Sequence, residues 1–488
     1  MNPPIVRLYV FVLLLFGSLV YFTSKWAIFD AEELEGKNTN RRPLIEQQQI
    51  PRGSITTRDG VLVAESVPVG GGRKPVYVRR YPQGALFGHP VGHSFVEVGS
   101  SEIEESENDL LIGEENEFQT IIDELRDQQP EGADITLTLD AEAQRLATQL
   151  LESAVTDPEE PGASLVAIEP STGAVRVMAS VPGYDPNEVQ DEDALDRLNA
   201  DEVRAPLVDR ATQSRYPPGS TMKVVTAAAA LDSGEFEPES VLDASSPIDV
   251  SGVPLENSGG QDFGEIDMTT ALTNSVNTYW AQVGEQLGTD TMVEYMERFG
   301  FYEDPKLGFP DDEVIASGVV SENELVKDDF DVGRVAIGQG GAEGQLLATP
   351  MQMAQVAATI ANDGTLMEPT FLQEAQDPDG RTIEELDPEE QSEVISEEAA
   401  NQLADMMQNV TEEGTASSLS VAGVSFAGKT GTAEIDLEGT NQPWFITFAP
   451  ADDPQIAVAA TVERCQGCFG GDTAGPIATA VMENLLAN

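Results

Sequence analysis

The sequence predicts an α+β protein with an N-terminal transmembrane helix, a small mostly-β domain and a larger C-terminal domain in which helices flank an antiparallel sheet. Three observations predict this architecture. A long apolar segment lies near the N-terminus, a strong hairpin pattern lies near residue 170, and several short strands and one last helix end the chain. When a hairpin and a later group of strands enclose a helical segment, both groups of strands are expected to join in one sheet.

The apolar segment runs from Leu8 to Phe29, with Lys25 as its only charge. A helix of these 22 residues would be about 33 Å long, enough to cross a hydrocarbon core of about 30 Å. Lys25 and Trp26 are typical of the membrane interface. We therefore expect a cytoplasmic tail at 1–7, a single-pass anchor, and the rest of the chain outside the cytoplasm. A cleavable signal peptide is the alternative, although no clear small-residue cleavage motif follows the apolar segment.

The next region carries signals for strands and one helix. The Arg58-Asp-Gly60 turn before an apolar run predicts a hairpin, and residues 136–140 predict a strand. Asp140 is the expected N-cap of a helix that ends near residue 155. Residues 101–131 contain twelve acidic residues and one arginine, a composition typical of disorder. This region shows no catalytic cluster, so we expect a structural role or contact with a partner.

The C-terminal region opens with strands at 164–169 and 174–179 around the turn Pro170-Ser-Thr-Gly173, which predicts an antiparallel hairpin. The pattern then predicts several helices, three short strands and a final helix from about Gly475. The predicted helices are 220–232, 268–287, 350–362 and 397–411, and the predicted strands are around 423–436, 443–449 and 455–463.

The charge of the chain excludes one class of partner. With 86 acidic and 26 basic residues, the formal net charge is −60. Such a chain repels nucleic acid and anionic lipid surfaces, so we expect no polyanionic partner. The Gly- and Ala-rich second half favours a folded protein with an acidic, salt-adapted surface.

Two cysteines, Cys465 and Cys468, lie in a glycine-rich loop. No second cysteine pair and no nearby histidine accompany them, which argues against zinc. Outside the cytoplasm, a small loop-closing disulfide is favoured over a redox site. A pair of free thiols is the remaining alternative.

Three short motifs occur once each and carry the chemistry: Ser220-Thr-Met-Lys223, Ser275-Val-Asn277 and Lys429-Thr-Gly-Thr432. The two histidines, His89 and His93, lie far upstream, so a lysine is the candidate base for a reactive serine. Each motif alone is weak, because a capped helix, a polar helix face or a hairpin edge would explain it. Their common order and compatible local contexts favour one active site.

Ser220 and Lys223 have a spacing that suits nucleophilic catalysis. The Pro217-Pro-Gly sequence breaks structure and precedes an Ala- and Val-rich run, so Ser220 is expected at a helix N-terminus, which favours a developing anion. Lys223 is three residues further on and lies on the same helix face. Burial, the helix N-terminus and a second cation, for which Lys429 is the candidate, would lower its pKa and make it a base.

With their flanking stretches, these motifs resemble class B penicillin-binding proteins, the membrane-anchored D,D-transpeptidases of cell-wall synthesis. The resemblance is good from about residue 160 onward and loose over 30–155, and the short N-terminal region is most like the actinobacterial type. The stretches that carry it are Arg52-Gly-Ser-Ile, Arg58-Asp-Gly60, Arg210-Ala-Thr, Tyr216-Pro-Pro-Gly-Ser220, Gly338-Gln-Gly340, Thr349-Pro-Met-Gln-Met-Ala354, Ala361-Asn-Asp-Gly364 and Trp444-Phe445. The sequence departs from the family at Asn441-Gln-Pro-Trp444, where a histidine is often found.

The resemblance implies a pedestal or dimerisation-like domain at 30–158 and a transpeptidase domain of the penicillin-binding and serine β-lactamase fold at 159–488. It implies that Ser220 attacks the penultimate D-alanine carbonyl of a stem peptide, that Lys223 takes the serine proton and that Ser275 passes a proton to the leaving amine. The backbone N–H groups of Ser220 and Thr432 would form the oxyanion hole. The implied substrate-binding residues are Asn277, Lys429, Thr430, Gly431 and Thr432.

The implied ligands are peptidoglycan stem peptides and β-lactams that acylate Ser220, and the implied partner is a polytopic membrane glycosyltransferase. No metal and no cofactor are implied. A D,D-carboxypeptidase or endopeptidase is an alternative, because only water in place of an amine would distinguish it. A non-catalytic scaffold or β-lactam sensor is another, although all three motifs are intact. A β-lactamase is disfavoured, since the match to Glu-x-x-x-Asn after Asn277, from Glu397 to Asn401, opens a predicted helix and does not form a loop.

Overall fold

The computed structural model describes residues 3–25, 50–69, 75–113, 131–155, 161–341, 344–436 and 439–487. The first helix, Pro3–Ser24, is apolar and exposed over most of its length. Its segment Val6–Ser24 has a mean hydropathy of 2.0 and is long and apolar enough to cross a membrane. The helix begins inside the segment predicted as a cytoplasmic tail, and residues 26–29 of the predicted anchor lie outside the described residues.

The N-terminal region is built on a six-stranded sheet that also recruits a hairpin from far along the chain. Neighbouring strands are antiparallel except for Ile55–Thr56 and Asp134–Leu137, which are parallel. The other strands, in chain order, are Leu62–Val69, Val76–Arg80, Leu372–Gln376 and Thr382–Glu385. The hairpin predicted at Arg58-Asp-Gly60 is therefore present.

The helix predicted after Asp140 is confirmed as Ala141–Ala154, and the Asp140 carboxylate accepts a hydrogen bond from the Ala143 N–H at 2.9 Å. The predicted disorder is wrong for residues 101–113, which form helices Glu102–Ser106 and Asn108–Ile112. Glu104 is fully buried there and accepts charged hydrogen bonds from Arg52 at 2.6 Å and Arg79 at 2.5 Å. Paired charges can be buried in a fold that isolated charges would disrupt. Residues 114–130 of the acidic stretch lie outside the described residues.

The C-terminal region centres on a second sheet that joins its two ends, as predicted. In spatial order its strands are Ala427–Glu434, Thr440–Ala449, Ile456–Val462, Ala163–Ile168 and Val175–Val181, all antiparallel to their neighbours. A short strand, Cys465–Gln466, also pairs with Thr440–Ala449. Ala427–Glu434 is thus an outer strand, and we call it the edge strand. Helix Pro350–Ala361 packs on one face of this sheet, and helices Ala141–Ala154 and Ala474–Ala487 pack on the other.

One helix that was predicted as continuous is broken in the structure. The segment predicted as a helix at 268–287 is divided between Met268–Thr273 and Asn277–Arg298, because Ser275 adopts a left-handed backbone conformation with φ of 58°. The predicted end at 287 is confirmed, since the second helix is interrupted at Gly288, whose backbone is non-helical with φ of 78°. The helices predicted at 220–232, 350–362 and 397–411 are confirmed as Lys223–Asp232 after a 3₁₀ turn, Pro350–Ala361 and Glu397–Glu412. The predicted last helix is Ala474–Ala487.

Short elements complete the fold. The helices are Gly88–Val91, Glu192–Ala200 and Val332–Val335, with 3₁₀ turns Gly84–Phe87, Pro186–Glu188 and Ser258–Gly260. The paired strands are Ser94–Phe95 with Gly99–Ser100, Val241–Asp243 with Glu265–Asp267, Ile248–Val250 with Val253–Leu255, and Thr365–Met367 with Glu390–Glu393. A four-stranded sheet contains Glu324–Leu325, Gly318–Ser321, Gly344–Leu347 and Gly340–Gly341.

Candidate active site

Ser220 lies on the 3₁₀ turn Gly219–Met222, which leads directly into helix Lys223–Asp232. The turn is fixed by its neighbours, since the Gly219 N–H donates to the Gly338 carbonyl at 3.0 Å. A Cβ atom at Gly338 would lie 1.8 Å from the Gly219 carbonyl oxygen, so this close approach requires glycine. Ser220 itself is partly exposed and can be reached by a ligand.

Lys223 is fully buried, one turn beyond Ser220. Its Nζ donates to the Ser275 carbonyl and to Asn277 Oδ1, both at 2.7 Å, and lies 3.2 Å from Ser275 Oγ. Within the described part of the chain, none of its hydrogen bonds goes to Ser220 Oγ. The lysine is therefore held between the first and second motifs.

The left-handed conformation of Ser275 explains this contact. A residue with a Cβ atom adopts it rarely and at a cost in energy. Here it ends one helix before the next begins at Asn277, and the Ser275 carbonyl and hydroxyl both face Lys223. Asn277 is held in turn, since its Nδ2 donates to the Glu256 carbonyl at 3.1 Å.

Lys429 brings the third motif to the same hydroxyl. It is fully buried on the edge strand, and its Nζ donates to Ser275 Oγ at 2.9 Å and to the Thr430 carbonyl at 3.0 Å. The three motifs, which are separated by 55 and 154 residues in sequence, thus converge on the Ser275 hydroxyl.

Burial dominates the electrostatics of both lysines. It holds the pKa of Lys223 well below the usual lysine value, and the nearby Lys429 charge lowers this pKa further. Burial also lowers the pKa of Lys429, to about 7. A neutral Lys223 amine has two N–H groups for the Ser275 carbonyl and Asn277 Oδ1, and its lone pair is left for a hydroxyl proton. The arrangement favours a base at this position.

The edge strand directs one backbone N–H toward Ser220. Thr432 pairs with Pro443, whose carbonyl accepts a hydrogen bond from the Thr461 hydroxyl on the next strand at 2.9 Å. Pro443 has no N–H, and its carbonyl faces away from Thr432, which identifies a non-hydrogen-bonded pair. The Thr432 N–H consequently points to the open edge, where an ideal Cβ on Gly219 would lie 3.2 Å from it.

The hydroxyl groups of Thr430 and Thr432 have different partners. Thr430 Oγ1 lies 2.7 Å from Thr415 Oγ1, and Thr432 Oγ1 accepts a hydrogen bond from the Gly470 N–H at 3.1 Å. Neither Thr415 nor Gly470 is among the residues predicted from the sequence. No local pattern marks Thr415, whose contact is made only by folding, whereas the Gly470-Gly471 pair was a visible signal of close backbone approach.

Cys465 and Cys468 lie beside this site, with their Cα atoms 5.5 Å apart and a disulfide joining them. His89 and His93 lie in the N-terminal region, where they contact the Pro182 carbonyl and the Ser101 hydroxyl. Among the described residues, no group of three or more histidine, cysteine or acidic side chains is placed to hold a metal ion.

Two protein-family models match this chain. Residues 163–483 match the penicillin-binding protein transpeptidase domain, and residues 52–135 match the penicillin-binding protein A dimerisation domain. A peptidoglycan D,D-transpeptidase PbpA of Mycolicibacterium smegmatis is 33% identical over 99% of this chain and 98% of its own length. The PbpA protein of Mycobacterium tuberculosis is 31% identical over 100% of this chain and 99% of its own length.

Solved structures agree with this similarity. The imipenem acyl-enzyme complex of penicillin-binding protein A from M. tuberculosis superposes with a TM-score of 0.78 at 30% identity. The superposition covers 91% of this chain and 100% of that one.

Proposed function

This chain belongs to the family of penicillin-binding proteins with a transpeptidase domain, and we propose that it is a peptidoglycan D,D-transpeptidase that forms its acyl-enzyme on Ser220. The convergence of Lys223 and Lys429 on the Ser275 hydroxyl, together with the partly exposed Ser220 one turn before Lys223, supports this assignment. As a serine-type acyltransferase of this family, it is a target of β-lactams.

Acylation begins when the neutral Lys223 amine takes the proton of Ser220. The Ser220 oxygen then attacks the carbonyl carbon of the penultimate D-alanine, and the resulting oxyanion accepts hydrogen bonds from the Ser220 and Thr432 N–H groups. The proton passes through Ser275 to the nitrogen of the terminal D-alanine, which leaves as the carbon–nitrogen bond breaks. The acyl group remains as an ester on Ser220.

Cross-linking reverses the proton transfers. The amine of a neighbouring stem peptide attacks the ester carbonyl and gives up a proton, and Ser220 leaves with a proton restored to its oxygen. The products are a new amide cross-link and the free enzyme. No metal or cofactor enters these steps.

Substrate binding uses residues of the second and third motifs. Lys429 and the Thr430 and Thr432 hydroxyls suit the terminal carboxylate, because a buried cation and convergent hydroxyl groups stabilise an anion. Asn277 has a second N–H on Nδ2 for the peptide backbone. Gly431 lets the edge strand approach the turn before Ser220, since a Cβ atom there would lie 2.7 Å from the Pro218 carbonyl oxygen. A β-lactam presents its carboxylate and strained carbonyl to the same groups.

We propose that the chain is a single-pass membrane protein with its catalytic region outside the cytoplasm. The apolar helix Val6–Ser24 and the disulfide between Cys465 and Cys468 support this location. We also propose a polytopic membrane glycosyltransferase as the partner that supplies nascent glycan strands to the anchored enzyme.

Labelling with a fluorescent penicillin tests the proposal. The detergent-solubilised full chain is expected to form a stable adduct that Ser220→Ala abolishes, while circular dichroism confirms that the variant is folded. No Ser220-dependent adduct would refute the acyl-enzyme, and an adduct lost within seconds would indicate a β-lactamase. A D-amino acid added as acceptor then distinguishes the two remaining enzymes. A transpeptidase joins it to the acyl group as a new amide, whereas a carboxypeptidase hydrolyses the acyl-enzyme.

A further inference from the structure

The loop of residues 465–471, which we call the disulfide loop, packs directly on the residues proposed to bind substrate. The Gly470 N–H donates to Thr432 Oγ1 at 3.1 Å. A Cβ atom on Gly470 would lie 2.4 Å from the Gly431 carbonyl oxygen, so the two backbones touch. An ideal Cβ on Gly471 would lie 3.0 Å from the Thr415 carbonyl oxygen and 3.5 Å from Thr430 Cγ2, so the loop also contacts these two threonines.

In the described part of the chain, this loop is held by the pairing of Cys465–Gln466 with strand Thr440–Ala449, by backbone and side-chain hydrogen bonds and by the disulfide. The Phe469 side chain is 55% exposed, so it contributes little hydrophobic anchoring. The Gly467 N–H donates to the Gly439 carbonyl at 2.9 Å, and Asn441 Nδ2 donates to the Cys468 carbonyl at 2.9 Å. The disulfide closes a ring of four residues, 465–468, which ends two residues before Gly470. A ring this short constrains the unfolded chain only modestly, so its main effect is local.

We propose that the Cys465–Cys468 disulfide is a redox-dependent positioning element that holds Gly470 on Thr432 and so keeps the oxyanion and carboxylate subsites in place. This inference rests on the proposed function, because it concerns the same site. Half-buried Cys468 is the more accessible sulfur, since Cys465 is only 4% exposed.

The switch is an ordinary thiol–disulfide exchange with a dithiol as reductant. One thiolate of the dithiol attacks a cysteine sulfur, the S–S bond breaks, and the other cysteine leaves as a thiolate that takes up a proton. The second thiol of the reagent resolves the mixed disulfide. Two cysteine thiols and an oxidised, cyclic reagent result.

The test measures acylation of the full chain by a fluorescent penicillin before and after reduction by dithiothreitol, with reduction verified by thiol titration. We expect the acylation rate constant to fall about tenfold on reduction, less than the ~100-fold cost of losing one oxyanion donor. The thermal midpoint should change little. Reoxidation should restore the rate, and a purely structural role would not give this separation of rate and stability.

The matched control is the double variant Cys465→Ala/Cys468→Ala. Its acylation rate constant should be low both with and without dithiothreitol, because it has no disulfide to reduce. Thr432→Val should abolish the response to reduction, whereas Thr432→Ser should retain it. Equal rates for the oxidised and fully reduced chain would overturn the proposal, as would two titratable thiols in the protein purified in air. In both cases a Ser220-dependent adduct would still support the proposed function, whose own failure is the absence of that adduct in the oxidised protein.

Discussion

Lys223 and Lys429 approach the same oxygen from two motifs, with their Nζ atoms 3.2 and 2.9 Å from Ser275 Oγ. Two ammonium groups that share one hydroxyl repel each other, and neither is solvated by water because both side chains are fully buried. The pair is therefore stable with one lysine neutral. Lys223 is the neutral one, because its pKa is lowered by burial and also by the charge on Lys429.

The pH dependence of acylation should report both lysines. The rate should rise as Lys223 loses its proton, well below the usual lysine range, and fall above about pH 7 as Lys429 becomes neutral and binds the carboxylate less well. In Lys429→Gln, loss of the neighbouring cation should raise the pKa of Lys223 and move the rising limb to higher pH. The measurement is the second-order acylation rate constant of a penicillin between pH 4 and pH 10.

Lys429→Arg is the matched control, because arginine stays charged throughout this range. It should keep the rising limb near its original position and remove the falling limb, even if the maximum rate is lower. A rising limb that stays in place in Lys429→Gln would contradict the electrostatic coupling of the two lysines.

Thr415 should contribute to substrate binding through Thr430. Its hydroxyl lies 2.7 Å from Thr430 Oγ1 and limits the orientations that this group can adopt. In Thr415→Val, we expect the dissociation constant of the pre-acylation complex to rise about fivefold, as for loss of one hydrogen bond of about 1 kcal/mol. The acylation rate at saturation should stay the same, and Thr415→Ser should restore binding. A loss confined to the saturated rate would contradict this role.

The sequence predicts the central sheet and the motif residues well, because both leave local signals. Buried strands are apolar runs, and Ser220 with Lys223 follows from helix spacing. The conformation of Ser275 could not be predicted, because a left-handed serine has no sequence signature. This residue divides the segment that the sequence predicts as one helix. The strand Thr382–Glu385 was missed for a related reason: its residues are polar and exposed, and only its pairing partner defines it.

The acidic stretch shows that composition alone does not reveal which charged side chains form ion pairs in the folded protein. Residues 101–113 were expected to be disordered because of their charge, but Glu104 is buried between Arg52 and Arg79. These two attractions and their hydrogen bonds outweigh the desolvation of the carboxyl and lower the pKa of Glu104. No local pattern indicates which acidic side chain will meet two arginines from separate segments.

Glu313 should make stability depend on pH. Its carboxylate accepts the Glu102 N–H at 2.7 Å, and burial raises its pKa to about 7, while burial and Glu313 raise the pKa of Glu102. Glu313 holds its proton more tightly in the folded state, so its contribution to stability is complete below about pH 4.5 and is lost as pH rises through about 7. The raised pKa of Glu102 acts in the same direction. Glu313→Gln should reduce that loss, by about 1 kcal/mol after allowance for solvent screening. Urea unfolding of the full chain at pH 5 and pH 8 measures the effect.

Glu384→Gln on an exposed strand is the control and should leave the difference between the two pH values unchanged. If Glu313→Gln lost as much stability between pH 5 and pH 8 as the unmodified chain, the assignment to this carboxyl would be wrong.

The net charge of −60 predicts that salt stabilises the folded chain. A compact state brings like charges closer than the unfolded chain does, so screening their repulsion lowers the free energy of the folded state more. We expect the urea midpoint of unfolding to rise steeply from 0.1 M NaCl and to level off near 1 M, where the screening length is about 3 Å. Urea is the required denaturant because guanidinium is itself a salt.

KCl at equal ionic strength should act alike, whereas a neutral osmolyte such as sucrose would raise the midpoint without levelling off. A midpoint that is independent of NaCl would show that the acidic side chains are too far apart, or too well paired, for their repulsion to matter.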